Sequence, residues 1–336
     1  MPVLRKETVA VTYAKFAAAA ALFCLPLQAH AQSLDLTPDS SRILSDPNYL
    51  PLAGQIDGST AYTHGWMNGT GVNSAGDAIS SFHINTNIIG QSLGYGITDD
   101  LSVNGSVQYV PRDYREVNNA NGQSASLDSS GFSDPTFGLT WRALDQRAWP
   151  VNLDLFGSYT PDWIGAETAS AVQDGTVARG GQSGAVGAAV GYETRSFSIR
   201  GAFTEDFFGT SNRINLANGN LLDAAGYNNS EISLNTQTRF TDLFSVNAGV
   251  QHTFAANENA VDVTNGVAHT SESGDLTALH LALNYQFVPN AFVVSATYDY
   301  EAYGNGRTLF ADSALDTGTR NRNANIIGVK LQYATP

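Results

Sequence analysis

Charged residues at alternating positions of β-type segments are the residues of this sequence best suited to chemistry. They are Asp134, Arg142, Asp154, Arg200, Glu231, Arg239, Asp299 and Glu301. Side chains of both signs that project into one narrow, water-filled space can orient a solute or select ions. The same side chains can instead pair with one another and simply fill that space. The sequence leaves both interpretations open for all eight residues.

Enzymatic chemistry has little support in the sequence. There is no His-Glu-x-x-His zinc motif and no phosphate-binding loop. Four histidines fall on predicted strands and one on a predicted loop: His64, His83, His252, His280 and His269. A histidine beside a serine on a neighbouring strand would permit an outer-membrane lipase, which is a minor alternative. We expect no enzyme, no cofactor and no bound metal, although acidic loop residues such as Asp262 could hold a divalent cation.

The elements that carry these residues are predicted from strict alternation of apolar and polar residues. Between Leu243 and Phe254 the apolar residues fall on every second position, and the polar residues fall between them. This two-residue period predicts a strand with one apolar and one polar face. The same pattern predicts twelve strands, at about 55–67, 81–96, 101–111, 132–143, 150–160, 183–194, 196–208, 229–240, 243–255, 276–287, 291–303 and 323–334.

The connections between the predicted strands distinguish a membrane barrel from a soluble β-protein. Tight turns such as 98–100 and 241–242 alternate with polar loops at 112–131, 209–228, 256–275 and 304–322. Aromatic residues also collect at both ends of the strands, as they do at the two interfaces of a membrane. We therefore expect an all-β fold, a transmembrane antiparallel up-and-down barrel of twelve strands spanning 55–336. A secreted β-sandwich or β-helix is the alternative.

The amino-terminal residues predict export. A basic start, an apolar stretch and the Ala29-His30-Ala31 end are typical of a signal peptide, so residues 1–31 are expected to be removed. Cys24, the only cysteine, lies within it, which predicts a mature chain without disulfides. Residues 32–54 would then be an N-terminal periplasmic segment or a plug in the barrel, with a helix start at Thr37-Pro38-Asp39. A loosely held periplasmic tail is the alternative.

The charge balance excludes one class of partner. The full chain has 17 basic and 31 acidic residues, and removal of Arg5, Lys6, Lys15 and Glu7 leaves a mature net charge of about −16. Nucleic-acid binding needs clustered positive charge, so it is excluded as a function class. The expected partners are outer-membrane lipids, a small-molecule solute and the barrel assembly machinery.

Two segments carry resemblances to known proteins. Gly328, Leu331 and Tyr333 resemble the glycine-x-x-hydrophobic-x-aromatic assembly signal that ends many outer-membrane barrels, although three further residues follow here. The segment from Gly131 through Asp134 to Arg142 resembles a strand of the MetA-pathway-of-phenol-degradation family of outer-membrane barrels. This second resemblance implies a transporter in the outer membrane of a Gram-negative-type bacterium, acting on a small aromatic or otherwise hydrophobic compound.

Two functions remain after these considerations. One is an outer-membrane channel or transporter for small molecules, including hydrophobic or aromatic ones. The other is a structural or interaction barrel with a blocked lumen, whose loops do the work. A twelve-stranded barrel is narrower than a sixteen-stranded porin, because diameter grows with strand number. The first function is therefore expected to concern a narrow class of solutes.

Overall fold

The structure is a computed structural model that describes residues 44–169, 173–215, 219–288, 291–311 and 313–335. The predicted signal peptide, the predicted helix start at Thr37 and the first part of the predicted segment 32–54 lie outside the described residues. No helix among the described residues is both long enough and apolar enough to span a bilayer.

Twelve strands form a closed antiparallel barrel, and shorter strands extend it at one end. In chain order the strands are β1 (Ile56–Asn73), β2 (Ala78–Thr98), β3 (Leu101–Asn119), β4 (Ser124–Phe132), β5 (Thr136–Leu144), β6 (Asn152–Thr160), β7 (Ala166–Thr168), β8 (Gly175–Thr176), β9 (Ser183–Glu193), β10 (Phe197–Phe208), β11 (Ser211–Asn215), β12 (Asn220–Ala224), β13 (Tyr227–Arg239), β14 (Phe244–Phe254), β15 (Asn257–Asp262), β16 (Val267–Glu272), β17 (Leu276–Val288), β18 (Phe292–Tyr303), β19 (Gly306–Phe310) and β20 (Thr317–Ala334). The barrel wall runs β1-β2-β3-β5-β6-β9-β10-β13-β14-β17-β18-β20. The predicted all-β, twelve-stranded barrel is confirmed.

The barrel closes where β1 pairs with β20. The pairing runs from Asp57 opposite Ala334 up to Asn68 opposite Asn323 without interruption. Closure gives the backbone groups of both terminal strands a partner, which a strand in hydrocarbon requires. The start of β1 and the end of β20 therefore lie together at the end of the barrel that carries the tight turns.

Side chains alternate between an apolar outer face and a mostly polar inner face. On β17, Leu281, Leu283 and Tyr285 are exposed, whereas Asn284 and Gln286 between and beside them are buried inside the barrel. Exposed aromatic residues collect at both ends of the outer face, among them Tyr95, Trp141, Phe240 and Phe287 near the tight turns and Tyr62, Tyr109, Tyr159 and Phe203 toward the long connections. These two belts are the aromatic girdles that the sequence predicts.

The long connections are not irregular loops, and this part of the prediction is wrong. Strand β3 continues to Asn119, β4 occupies 124–132, and β11, β12, β15, β16 and β19 occupy most of the other three connections. Beyond the membrane both faces of a strand are wet, so no apolar alternation is left in the sequence to reveal it. Ladder hydrogen bonds satisfy the backbone there instead, for example between β15 and β16.

Candidate functional site in the barrel lumen

A short stretch of chain before β1, residues 44–50, lies inside the barrel at the tight-turn end. Leu44 packs against Val293 of β18 and Ala334 of β20, and its carbonyl oxygen accepts a 2.9 Å hydrogen bond from Gln332. The carbonyl oxygen of Ser45 accepts a 2.7 Å hydrogen bond from Asn247 of β14. We call residues 44–50 the inner segment.

The inner segment continues from these strands to the far wall. The Asn48 side chain donates to the backbone carbonyl oxygen of Ile199 on β10 at 3.2 Å, and the backbone carbonyl oxygen of Asn48 accepts a 2.6 Å hydrogen bond from Arg142 on β5. Asn48 is 1% exposed and Leu50 is 3% exposed. Because the segment contacts strands on several sides of the wall, it crosses the lumen at this end.

Three of the predicted site residues form one buried cluster that contacts the inner segment. Arg142 donates to both carboxylate oxygens of Asp154, at 2.9 and 3.3 Å, and Arg200 donates to Asp154 from the neighbouring wall. The Arg142 and Asp154 side chains are almost completely buried. Two guanidinium groups around one carboxylate leave excess positive charge. That charge meets the carbonyl oxygen of Asn48, so the cluster helps to hold the inner segment.

Arg239, a fourth predicted residue, pairs with the inner segment itself. Its guanidinium donates to the carboxylate of Asp46 and, at 3.0 Å, to the side-chain oxygen of Gln237. Gln237 in turn donates to the hydroxyl of Ser45 at 2.9 Å. Sequence reasoning missed Asp46, because nothing in the sequence shows that a residue before β1 returns to the end of β13.

Three more predicted residues lie on the inner wall closer to the long connections, at what we call the acidic level. Glu231 on β13 accepts a 2.7 Å hydrogen bond from Gln251, Asp299 on β18 pairs with His280, and Glu301 accepts a 2.6 Å hydrogen bond from the Tyr303 hydroxyl. Asp206 on β10, which the sequence analysis did not single out, lies on the same face two residues beyond Thr204, the residue paired with Glu231. Of the predicted residues, the arginines therefore lie at the tight-turn end and Glu231, Asp299 and Glu301 lie toward the long connections, where Arg115, opposite Ile84, and Arg322, opposite Tyr303, also face the lumen.

Asp134 stands apart from the other seven predicted residues. It lies between β4 and β5, where one carboxylate oxygen accepts backbone hydrogen bonds from Trp163 at 2.8 Å and Ile164 at 2.9 Å. This carboxylate lines a cavity of about 260 Å³ beside β3. The structure thus separates the predicted residues into a buried cluster of Arg142, Asp154 and Arg200, Arg239 paired with the inner segment, an acidic level toward the long connections and the cavity residue Asp134.

The inner wall also carries an apolar stripe that sequence reasoning missed. On its inward face Ile326 of β20 lies opposite Gly65 of β1, and Met67 of β1 lies opposite Ile84 of β2. Phe82, opposite Gly69, extends this row of apolar side chains toward the long connections. The pairing between β1 and β20 is continuous from Ala334 to these residues, so they lie on the same face of the sheet as Ala334. That face is the inner one, because Ala334 contacts the inner segment. We call Met67, Phe82, Ile84 and Ile326 the apolar stripe.

Comparisons with known proteins identify the fold and no closer relationship. No protein-family model matches the sequence, and no curated protein matches it either. Among solved structures, the COG4313 outer membrane channel from Pseudomonas putida F1 is 13% identical and has a TM-score of 0.59, over 86% of this chain and 99% of that one. The transport unit of the autotransporter AIDA-I from Escherichia coli is also 13% identical, with a TM-score of 0.51 over 82% and 90%.

This chain has the fold of an outer-membrane β-barrel. Such barrels usually have a polar interior, because the lumen holds water. The inner segment, the basic cluster and the acidic level agree with that rule. The apolar stripe departs from it.

The histidines on the strands of this barrel have partners of several kinds. The histidine hydrogen bonds among the described residues join His64 to Asn87, His83 to Asn68, His252 to Thr277 and His280 to Asp299. None of these partners is a serine, which the lipase alternative needs. Gly90-Gln-Ser92-Leu-Gly94 matches the nucleophile-elbow pattern, but it lies inside the continuous strand β2 rather than at a strand-to-helix turn. No acidic or histidine cluster suited to a metal ion occurs among the described residues.

Proposed function

We propose that this protein is an outer-membrane channel for small molecules with apolar surface, including aromatic ones. The apolar stripe is the observation that carries the proposal. Apolar side chains on the wall of a lumen cost free energy while water covers them, and an apolar solute that displaces this water recovers about 25 cal/mol per Å² of buried surface. The outer half of the lumen therefore attracts solutes that a purely polar pore would not.

The acidic level sets the expected charge of the solute. Asp299 lies opposite Ile326 on the neighbouring strand. Glu231 and Asp206 lie on strands β13 and β10, on the other side of the lumen from β1. These carboxylates repel anions and favour neutral or cationic molecules, although Arg115, opposite Ile84 of the stripe, offsets one of the negative charges. A neutral or weakly cationic solute with an apolar body is therefore compatible with both the apolar stripe and the acidic level.

We also propose that the inner segment acts as a plug that closes the periplasmic end. Its hydrogen bonds with β5, β10, β13, β14 and β20 hold it across the lumen, so solute passage requires it to move. The same observation favours the second candidate function, a barrel whose lumen stays blocked. The two functions differ in whether the segment moves under conditions of uptake.

The resemblance to the MetA-pathway-of-phenol-degradation family supports an aromatic solute. It rests on Gly131 to Arg142, which in the structure includes the cavity residue Asp134 and the cluster residue Arg142. We further propose that Gly328, Leu331 and Tyr333 on β20 are recognised by the barrel assembly machinery, and that Asp134, Arg142, Asp154, Arg200, Glu231, Arg239, Asp299 and Glu301 control selectivity directly or through the plug.

The test is uptake of a radiolabelled monoaromatic hydrocarbon by Gram-negative cells that express the protein, compared with cells that do not. Ile84→Asp should lower the protein-dependent uptake rate about five- to thirtyfold, because a carboxylate in the stripe removes roughly 1–2 kcal/mol of apolar contact. Asn85→Asp is the matched control, since it adds the same charge one position along β2 on the outer face. Equal uptake with and without the protein would refute the proposal.

A further inference from the structure

The cavity beside Asp134 is distinct from the apolar stripe and from the inner segment. It is formed where β3, the start of β5, the end of β6 and the segment 177–183 meet, and its volume is about 260 Å³. That is slightly below the usual range of 300–1,000 Å³ for small-molecule sites, so it suits a solute smaller than a drug. No residue of the apolar stripe lines this cavity.

The cavity wall is rich in hydroxyl and amide groups. Ser106, Gln108, Thr136, Thr160 and Ser183 all line it. The hydroxyls of Thr136 and Thr160 are 2.7 Å apart and hydrogen-bond to each other, so the acceptor of the pair retains its own proton for a further partner. Hydroxyl groups offer donors and acceptors at once, which is the capacity that another hydroxyl matches.

The two charged groups of the cavity balance each other. Asp134 uses one carboxylate oxygen to accept two backbone hydrogen bonds, which leaves its second oxygen as an acceptor. Arg179 is held in place by a 2.9 Å hydrogen bond to the carbonyl oxygen of Gly209 and by the rings of Phe208 and Tyr227, 5.0 and 5.6 Å from its guanidinium carbon. Its Nε is buried and has no acceptor among the described residues.

We propose that this cavity is a binding site for a small, neutral, hydroxyl-rich solute, with the chemistry of a polyol. One carboxylate and one guanidinium give the wall no net charge, so neither an anion nor a cation is favoured. The free carboxylate oxygen accepts from a hydroxyl, whereas the Gln108 amide and the remaining hydroxyl proton of the Thr136–Thr160 pair donate to one. A solute that both donates and accepts satisfies this set, and a pure acceptor or pure donor does not.

Binding of myo-inositol to the full-length protein in detergent micelles tests the proposal by isothermal titration calorimetry. Thr136→Val and Gln108→Leu each remove a polar partner and should weaken inositol binding about five- to thirtyfold. Thr140→Val is the matched control, since Thr140 lies on the same inward face of β5 outside the cavity, and it should bind as the wild type does.

Two charged probes of similar size complete the test. Cyclohexanecarboxylate and cyclohexylamine should bind more weakly than inositol, and tighter binding of either would overturn the proposal. No inositol binding by the wild type, or equal affinity of Thr136→Val, Gln108→Leu and Thr140→Val, would also overturn it. Binding in micelles needs no passage through the lumen, so a failure of the proposed transport function would leave this result unchanged and distinguishable.

Discussion

Arg239 at the end of β13 is paired with Asp46 of the inner segment, 193 positions earlier in the chain. The Asp46 side chain is 1% exposed and that of Arg239 is 7% exposed. Removal of one partner from a buried ion pair leaves an uncompensated charge and typically costs about 3–5 kcal/mol. The contact therefore contributes strongly to keeping the inner segment in the lumen.

The first prediction concerns this pair. Arg239→Gln should release the inner segment, because Asp46 then seeks water, and limited proteolysis of the protein in micelles should cut near residue 46 much faster than in the wild type. Arg147→Gln, which breaks the pair between the exposed Arg147 and the partly exposed Asp145 at the same end of the barrel, is the matched control. In the double variant Asp46→Asn, Arg239→Gln, two neutral side chains remain, and cleavage should slow again. Equal cleavage of Arg239→Gln and Arg147→Gln would show that the pair does not hold the segment.

The second prediction concerns the lipid-facing surface. Val246, Leu281 and Val294 lie on the outer face of β14, β17 and β18, and arginine at each position should destabilise the barrel in lipid by about 2–4 kcal/mol near the membrane midplane. Gln251→Arg is the control, because Gln251 faces the lumen beside Glu231. Folding stability measured by urea titration in vesicles should separate the three outer variants from the control. If all four variants were equally stable, the assignment of faces would be wrong.

The third prediction concerns orientation. Asp242 lies in a tight turn and Asn265 in the connection between β15 and β16, at opposite ends of the barrel. Cysteine introduced at Asn265 should react with a membrane-impermeant maleimide on intact cells, whereas cysteine at Asp242 should react only after the outer membrane is permeabilised. The reverse labelling pattern would place the tight turns outside the cell.

The fourth prediction concerns charge selectivity. The acidic level should make the lumen prefer cations in planar bilayers at low salt, and the preference should fade at 1 M salt, where the Debye length falls to about 3 Å. The double variant Asp206→Asn, Glu231→Gln should reduce the cation preference. An anion preference at low salt that disappears when Arg142, Arg200 and Arg239 are neutralised would instead make the arginines the selectivity element.

The strands that cross the membrane could be predicted because their environment imposes a two-residue period. The segment Leu243–Phe254 shows the period clearly, and β14 occupies Phe244–Phe254. The apolar stripe could not be predicted, because Ile88 and Ile89 are adjacent in β2 and a shift of one residue exchanges the two faces. The pairing of Met67 with Ile84 shows that they share a face, and the contact of Ala334 with the inner segment shows that this face is inward.

The candidate residues could be predicted as a set but not as pairs. Arg142 and Asp154 lie near a tight turn between neighbouring strands, so their contact is local in the fold. Arg239 meets Asp46 only because the chain before β1 enters the barrel, and neither charge pattern nor periodicity encodes that path. The sequence therefore indicated a charged lumen, and a plug as one option for residues 32–54, without indicating which wall residues the inner segment contacts.

The measurement that tests the central claim most directly is single-channel recording of the wild type and of a variant that lacks residues 33–52. A channel closed by a movable plug predicts a small or intermittent conductance for the wild type and a larger, steady conductance for the deletion variant. Arg239→Gln should fall between the two. If the wild type and the correctly folded deletion variant both failed to conduct, the lumen would be blocked by the wall itself, and the protein would not be a channel.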